Sequence, residues 1–152
     1  MEANTKPERP WTVTIAVYLL YFSLICPSVG FILFWLAFGE ADQFTVALWG
    51  SALLASLVMS TLLYYFIGRG KTWARTIELV LFVVAALPTN ILSLAQCGNI
   101  PESTGWINAS TCILGIADVA LQFVALVFLF QRMSSEWFKA VKILNQQPKG
   151  SA

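Results

Sequence analysis

One acidic residue, Asp118, interrupts an otherwise uncharged stretch at 103–131. A carboxylate near the centre of a bilayer costs on the order of 2.5–3.5 kcal/mol on insertion scales, so it has to face protein or water rather than lipid. Gln122 follows one helical turn later on the same face. Asn90 and Ser93 fall at a similar depth in the preceding apolar stretch, where Ala86, Asn90, Ser93 and Cys97 share a three-to-four spacing and hence one helix face. Asp118, Gln122, Asn90 and Ser93, joined by Ser28, are therefore expected to form an intramembrane polar cluster. Two chemistries suit it. The preferred one is a hydrogen-bonded clasp between Asp118 and Asn90 that holds two helices together; the other makes Asp118 a proton or cation site.

Other chemistry has little to build on. The chain contains no histidine, which removes the usual general base and the commonest metal ligand. No carboxylate pair is spaced for acid–base work. No enzyme activity, cofactor or metal is expected. Of three cysteines, Cys97 and Cys112 flank one connection and are the candidate disulfide in an oxidising exterior. Cys26 reads as a small apolar packing residue. With no Cys-x-x-Cys pair, a dithiol relay has no basis.

The elements that must position these residues follow from composition. Apolar residues make up 58% of the 152 residues and charged ones 11%, against roughly 45–50% and 25% in soluble domains. Uncharged runs at 11–39, 43–68 and 79–101, with 103–131 broken only by Asp118, each exceed the roughly 20 residues that cross a hydrocarbon core. The sequence therefore predicts an all-α membrane protein: a four-transmembrane-helix bundle with short loops and a C-terminal interfacial amphipathic helix. The expected segments are a tail at 1–10, spans at about 11–38, 44–67, 73–97 and 107–131, and an amphipathic tail at 132–152.

All nine basic residues lie in the two tails and the connection between spans two and three, whereas the other connections carry Glu40, Asp42 and Glu102. By the positive-inside rule both termini are expected in the cytoplasm. The six tryptophans fall near expected span boundaries: Trp11, Trp73 and Trp137 inside, Trp35, Trp49 and Trp106 outside.

Within the spans, Pro27 and Pro88 each remove a backbone donor and are expected to bend their helices. Ala52, Ser56 and Ser60 form a small-residue face on span two, suited to close helix packing within the bundle or to a homo-oligomer contact. Arg75 and Glu78 stand one turn apart and are expected to pair at the inner boundary. Ser134 or Ser135 is expected to cap the last helix, whose Trp137, Val141 and Leu144 face reads as a membrane-surface anchor. A shift of 62 residues aligns Trp11, Thr14, Ile15 and Leu19 with Trp73, Thr76, Ile77 and Leu81, and Ser56 and Ser60 with Asp118 and Gln122. This is the pattern of a parallel duplication, although chance matches in a leucine-rich chain are the preferred account.

The Arg9-Pro10 leader, the Gly-Arg turn before Trp73-Ala74-Arg75, and Trp137-Phe138 after span four make the chain resemble a group of small bacterial inner-membrane proteins without assigned activity. Small multidrug transporters match in size and span number but carry a glutamate in span one, which is absent here. Membrane-bound glutathione transferases carry a Glu-Arg-rich motif, also absent. The expected function is that of a non-enzymatic assembly or accessory protein in a bacterial inner membrane, partnered by the bilayer and by a second copy or another membrane protein, with no nucleic acid. The alternative is a small transporter or channel component that uses Asp118.

Overall fold

The computed structural model describes residues 7–37, 43–96 and 105–146, and every regular element in them is helical. In chain order these are α1 (Trp11–Ser23), α2 (Ile25–Ala37), α3 (Gln43–Gly68), α4 (Thr72–Leu81), a π-helical turn (Phe82–Ala86), α5 (Leu87–Gln96), α6 (Gly105–Phe130) and α7 (Arg132–Gln146). Four stretches are long and apolar enough to cross a membrane: Trp11–Leu33, Val46–Gly68, Thr72–Leu92 and Ala109–Phe130. The fold is an all-α, four-transmembrane-helix bundle, and the multi-pass membrane reading follows from those four spans.

Spans two and four are single helices, whereas spans one and three are each broken near a proline. Pro27 has no N–H to offer the Ser23 carbonyl and its ring crowds that oxygen. The helix accordingly lapses at Leu24, between α1 and α2. Local hydroxyls bond back to the preceding turn: Ser23 Oγ donates to Leu20 O at 2.9 Å and Ser28 Oγ to Leu24 O at 2.8 Å. In span three the chain widens into the π turn immediately before Pro88. There Thr89 Oγ1 donates to Ala85 O at 2.7 Å, and Asn90 Nδ2 donates to Ala86 O at 2.8 Å. Such π turns within α-helices occur frequently at functional sites.

The core is concentrated at one end of the bundle. Val13, Ala16, Val17 and Leu20 of α1 pack with Leu63 and Ile67 of α3, Ala74 of α4, Ala125 and Leu129 of α6, and Trp137, Phe138 and Val141 of α7. The amphipathic α7 thus seats Trp137, Phe138 and Val141 on the ends of its own bundle, while Met133 and Ile143 remain exposed. Trp137, expected among interfacial tryptophans, is only 6% exposed and donates from Nε1 to Pro7 O at 3.2 Å. By contrast Trp11, Trp35, Trp49 and Trp73 are exposed as expected. The Trp106 side chain lies outside the described residues.

The serines of α7 differ from expectation in the same way. The helix begins at Arg132, upstream of both serines, so neither is its cap. Ser134 Oγ donates to Phe128 O at 2.7 Å, one of the carbonyls left open at the end of α6. It also meets Thr12 Oγ1 at 2.8 Å.

The turn between α3 and α4 completes this closed end. Lys71 N–H donates to Phe66 O and Gly70 N–H to Ile67 O, the bonding pattern of a Schellman cap with Gly70 at φ 80°. A Cβ at Gly70 would lie 3.0 Å from Val141 Cγ1 and 3.1 Å from the Trp137 ring. Gly70→Ala should therefore lower stability by about 1–3 kcal/mol, from backbone strain and the displaced α7 side chains. Gly30→Ala, which meets nothing within 4 Å, should be neutral or stabilising by up to about 1 kcal/mol. Thermal unfolding in detergent, followed by circular dichroism, measures both.

Candidate functional site

Beyond the closed end, the four spans part around a cavity of about 730 Å³, within the roughly 300–1,000 Å³ range of small-molecule sites. Every span contributes to its wall: Ser23, Cys26 and Pro27 from span one, Ser56, Ser60 and Tyr64 from span two, Glu78, Thr89 and Asn90 from span three, and Gly115, Asp118 and Gln122 from span four. Span one packs along span four through both α1 and α2. Span two meets span three mainly through α4, near their shared turn. The cavity opens where those two spans diverge. The exposed residues Ser56, Met59, Ala85 and Thr89 line that side.

Ser23, Leu24, Cys26 and Pro27 surround the break in span one, while Phe82, Ala85, Ala86, Thr89 and Asn90 surround the π turn in span three. Both interruptions therefore border the cavity, at points where a helix can bend.

Asp118, Gln122 and Asn90 all line the cavity, as expected. The expected clasp takes another form. Asp118 Oδ1 accepts from Gln122 Nε2 at 2.9 Å within its own helix, and Asn90 Nδ2 donates to Ala86 O on its own helix. Asn90 Oδ1 lies so near Gly115 that a Cβ there would come within 2.8 Å of it. A hydrogen on Cα is what lets spans three and four approach at this level. Ser28 is turned to its own backbone. The Ser93 side chain lies outside the described residues.

A second carboxyl, Glu78, reaches the same cavity. It is 5% exposed, lies beside the Tyr64 hydroxyl, and sits within Coulombic range of Asp118. Tyr64 in turn neighbours Ser23 and Ser60. The expected Arg75–Glu78 pair does not form. Arg75 instead reaches the end of span four, donating to Leu129 O at 3.4 Å and Ser135 Oγ at 3.3 Å. Its guanidinium lies over the rings of Phe130 and Phe138. A cation suits that place, because the last carbonyls of α6 present the negative end of the helix dipole. The spacing of Ala74, Glu78, Phe82 and Ala85 already puts Glu78 on an inward face; the proximity of Arg75 in sequence obscures that signal.

Among the described residues the one ion pair is Arg132–Glu136, on the exposed surface of α7. Among the described residues, no Lys or Arg is found in the cavity wall. Among the described residues, no group of three or more His, Cys, Asp or Glu side chains converges as a metal site would require. Cys26 is a free thiol in the wall, and Cys112 is disulfide-bonded. Cys97, the other half of the candidate disulfide, lies outside the described residues. Comparison with protein-family models, curated proteins and solved structures gives no match, so the site is interpreted from its geometry alone.

Because Arg75 is held by α6 and α7, its stability coupling to Glu78 should be small. A double-mutant cycle of Arg75→Gln and Glu78→Gln should give an interaction energy below about 0.5 kcal/mol, whereas Arg75→Gln with Ser135→Ala should give about 0.5–1.5 kcal/mol. Chemical denaturation in mixed micelles reads both couplings.

Proposed function

We propose that the protein is a small membrane transporter whose central cavity binds a monovalent organic cation. The observation that carries this reading is a cavity reaching two carboxyls, Glu78 and Asp118, with no basic side chain among the described residues of its wall. A carboxylate held away from water is stabilised by an opposite charge. Here the ligand supplies that charge. Leu57, Leu63, Leu81 and Phe82 make the remaining wall largely apolar, which suits an amphiphilic cation over a small hydrated one.

The small-residue face of span two supports the accessory-protein alternative less directly once its geometry is considered. Ser56 and Ser60 line the cavity, leaving Ala52 as the member outside it. The opening between spans two and three lies on the lipid-facing side of the bundle, so an amphiphile entering there need not cross the closed end. In the proposed orientation the closed end faces the cytoplasm of a bacterial cell, because Arg9, Arg69, Lys71, Arg75, Arg132, Lys139 and Lys142 gather there.

The purified protein in lipid nanodiscs should bind tetraphenylphosphonium saturably. Asp118→Asn should weaken that binding by about tenfold or more, the equivalent of roughly 1.4 kcal/mol, and Glu78→Gln should also weaken it. Isothermal titration calorimetry is the measurement. Absence of saturable binding by the wild type, or equal binding by Asp118→Asn, would exclude the cation reading.

A further inference from the structure

We infer that the molecule is built from two parallel repeats, 11–68 and 73–130, and that Ser56 and Ser60 are the counterparts, across the cavity, of Asp118 and Gln122 in the ligand site. The inference rests on the cation-binding reading for its ligand and on separate structural observations for its geometry.

The register of 62 residues found in the sequence recurs in the helix boundaries. It carries the end of α3 at Gly68 onto the end of α6 at Phe130, and the start of α2 at Ile25 onto the start of α5 at Leu87. It also carries the lapse at Leu24 onto Ala86, the last residue of the π turn. Each half therefore consists of a span broken about midway, followed by an unbroken one. Sequence similarity alone had only scattered matches to offer. The boundaries add an independent one, because the two breaks follow from prolines that do not themselves align: Pro27 falls on Thr89 and Cys26 on Pro88.

Part of the wall follows the same register. Ser23 and Ala85, Leu24 and Ala86, Pro27 and Thr89, Ser56 and Asp118, and Ser60 and Gln122 are five corresponding pairs, and both members of every pair line the cavity. Other wall residues, among them Tyr64, Glu78, Asn90 and Gly115, have counterparts outside it. Packing differs between the halves: span one meets span two mainly through its first helix, α1, whereas span three meets span four mainly through its second, α5. The cavity lies at the interface between repeats, where transporters built from such repeats hold their substrates.

The consequence is a ligand site with two equivalent walls, only one of which carries an acid. Ser56 turns its hydroxyl back to Leu53 O at 2.8 Å, whereas its counterpart Asp118 meets Gln122 one turn further along the helix. An acid moved from 118 to 56 would face the same ligand from the opposite wall.

Tetraphenylphosphonium binding in nanodiscs tests this by exchange. D118S should lose about tenfold or more in affinity, and S56D/D118S should recover to within about threefold of wild type. A well-folded S56D/D118S protein that binds no better than D118S would overturn the inference. A second measurement does not depend on that double variant. In a C26A background, saturating tetraphenylphosphonium should slow maleimide labelling of S56C and of D118C alike. Protection of D118C alone would also overturn the inference. If the wild type shows no saturable binding, the cation reading itself fails, a result distinct from wild-type binding with a failed exchange.

Discussion

Two carboxyl groups enter the membrane-spanning part of this chain without a basic side chain beside them, and the arrangement of the bundle accommodates that cost. A charge in hydrocarbon must find a partner, water or a proton. Glu78 and Asp118 face a shared central space, and Arg75, the cation nearest to Glu78 in sequence, is committed to the end of span four. Along a helix rising 1.5 Å per residue, Glu78 lies roughly 9 Å from the start of α4 and Asp118 roughly 18 Å from the end of α6. The two acids thus stand at successive depths from the closed end.

That end is where the bundle gains its cohesion. Helix α7, the Schellman turn at Gly70 and the ends of α1, α3, α4 and α6 interlock through Trp137, Phe138 and Val141. Carbonyls left open at the end of α6 are taken by Ser134 and Arg75. Away from it, spans one and three are interrupted at Leu24 and at the π turn, and Ser28, Thr89 and Asn90 bond back to carbonyls of the preceding turn. Cohesion is thus concentrated at one end, and the cavity lies beyond it.

Much of this is legible in the sequence, for reasons that also explain what is not. Uninterrupted apolar runs mark the four spans, because bilayer thickness sets their length. Pro27 and Pro88 mark the breaks, because the missing donor acts locally. Asp118 and Gln122 are legible as inward-facing because lipid excludes them. Glu78 is not, since its sequence neighbour Arg75 suggests a local ion pair, and only the bundle shows that the guanidinium has better partners in α6 and α7. Trp137 is misleading for a related reason. An indole suited to the lipid interface is equally suited to the end of a helix bundle, with its ring buried and its N–H donating to a carbonyl. The 62-residue register is legible only as scattered matches, and the helix boundaries add to it a break shared by spans one and three.

Ligand access to Asp118 requires that the space around it be open to solvent within the bilayer. Deuterium modulation of the spin echo from a nitroxide attached at D118C, in nanodiscs prepared in heavy water, measures this against the same label at I116C, on the exposed apolar surface of α6. We expect strong modulation at 118 and almost none at 116. Equal, near-zero modulation at both positions would contradict the chamber and leave Asp118 as a dry packing group.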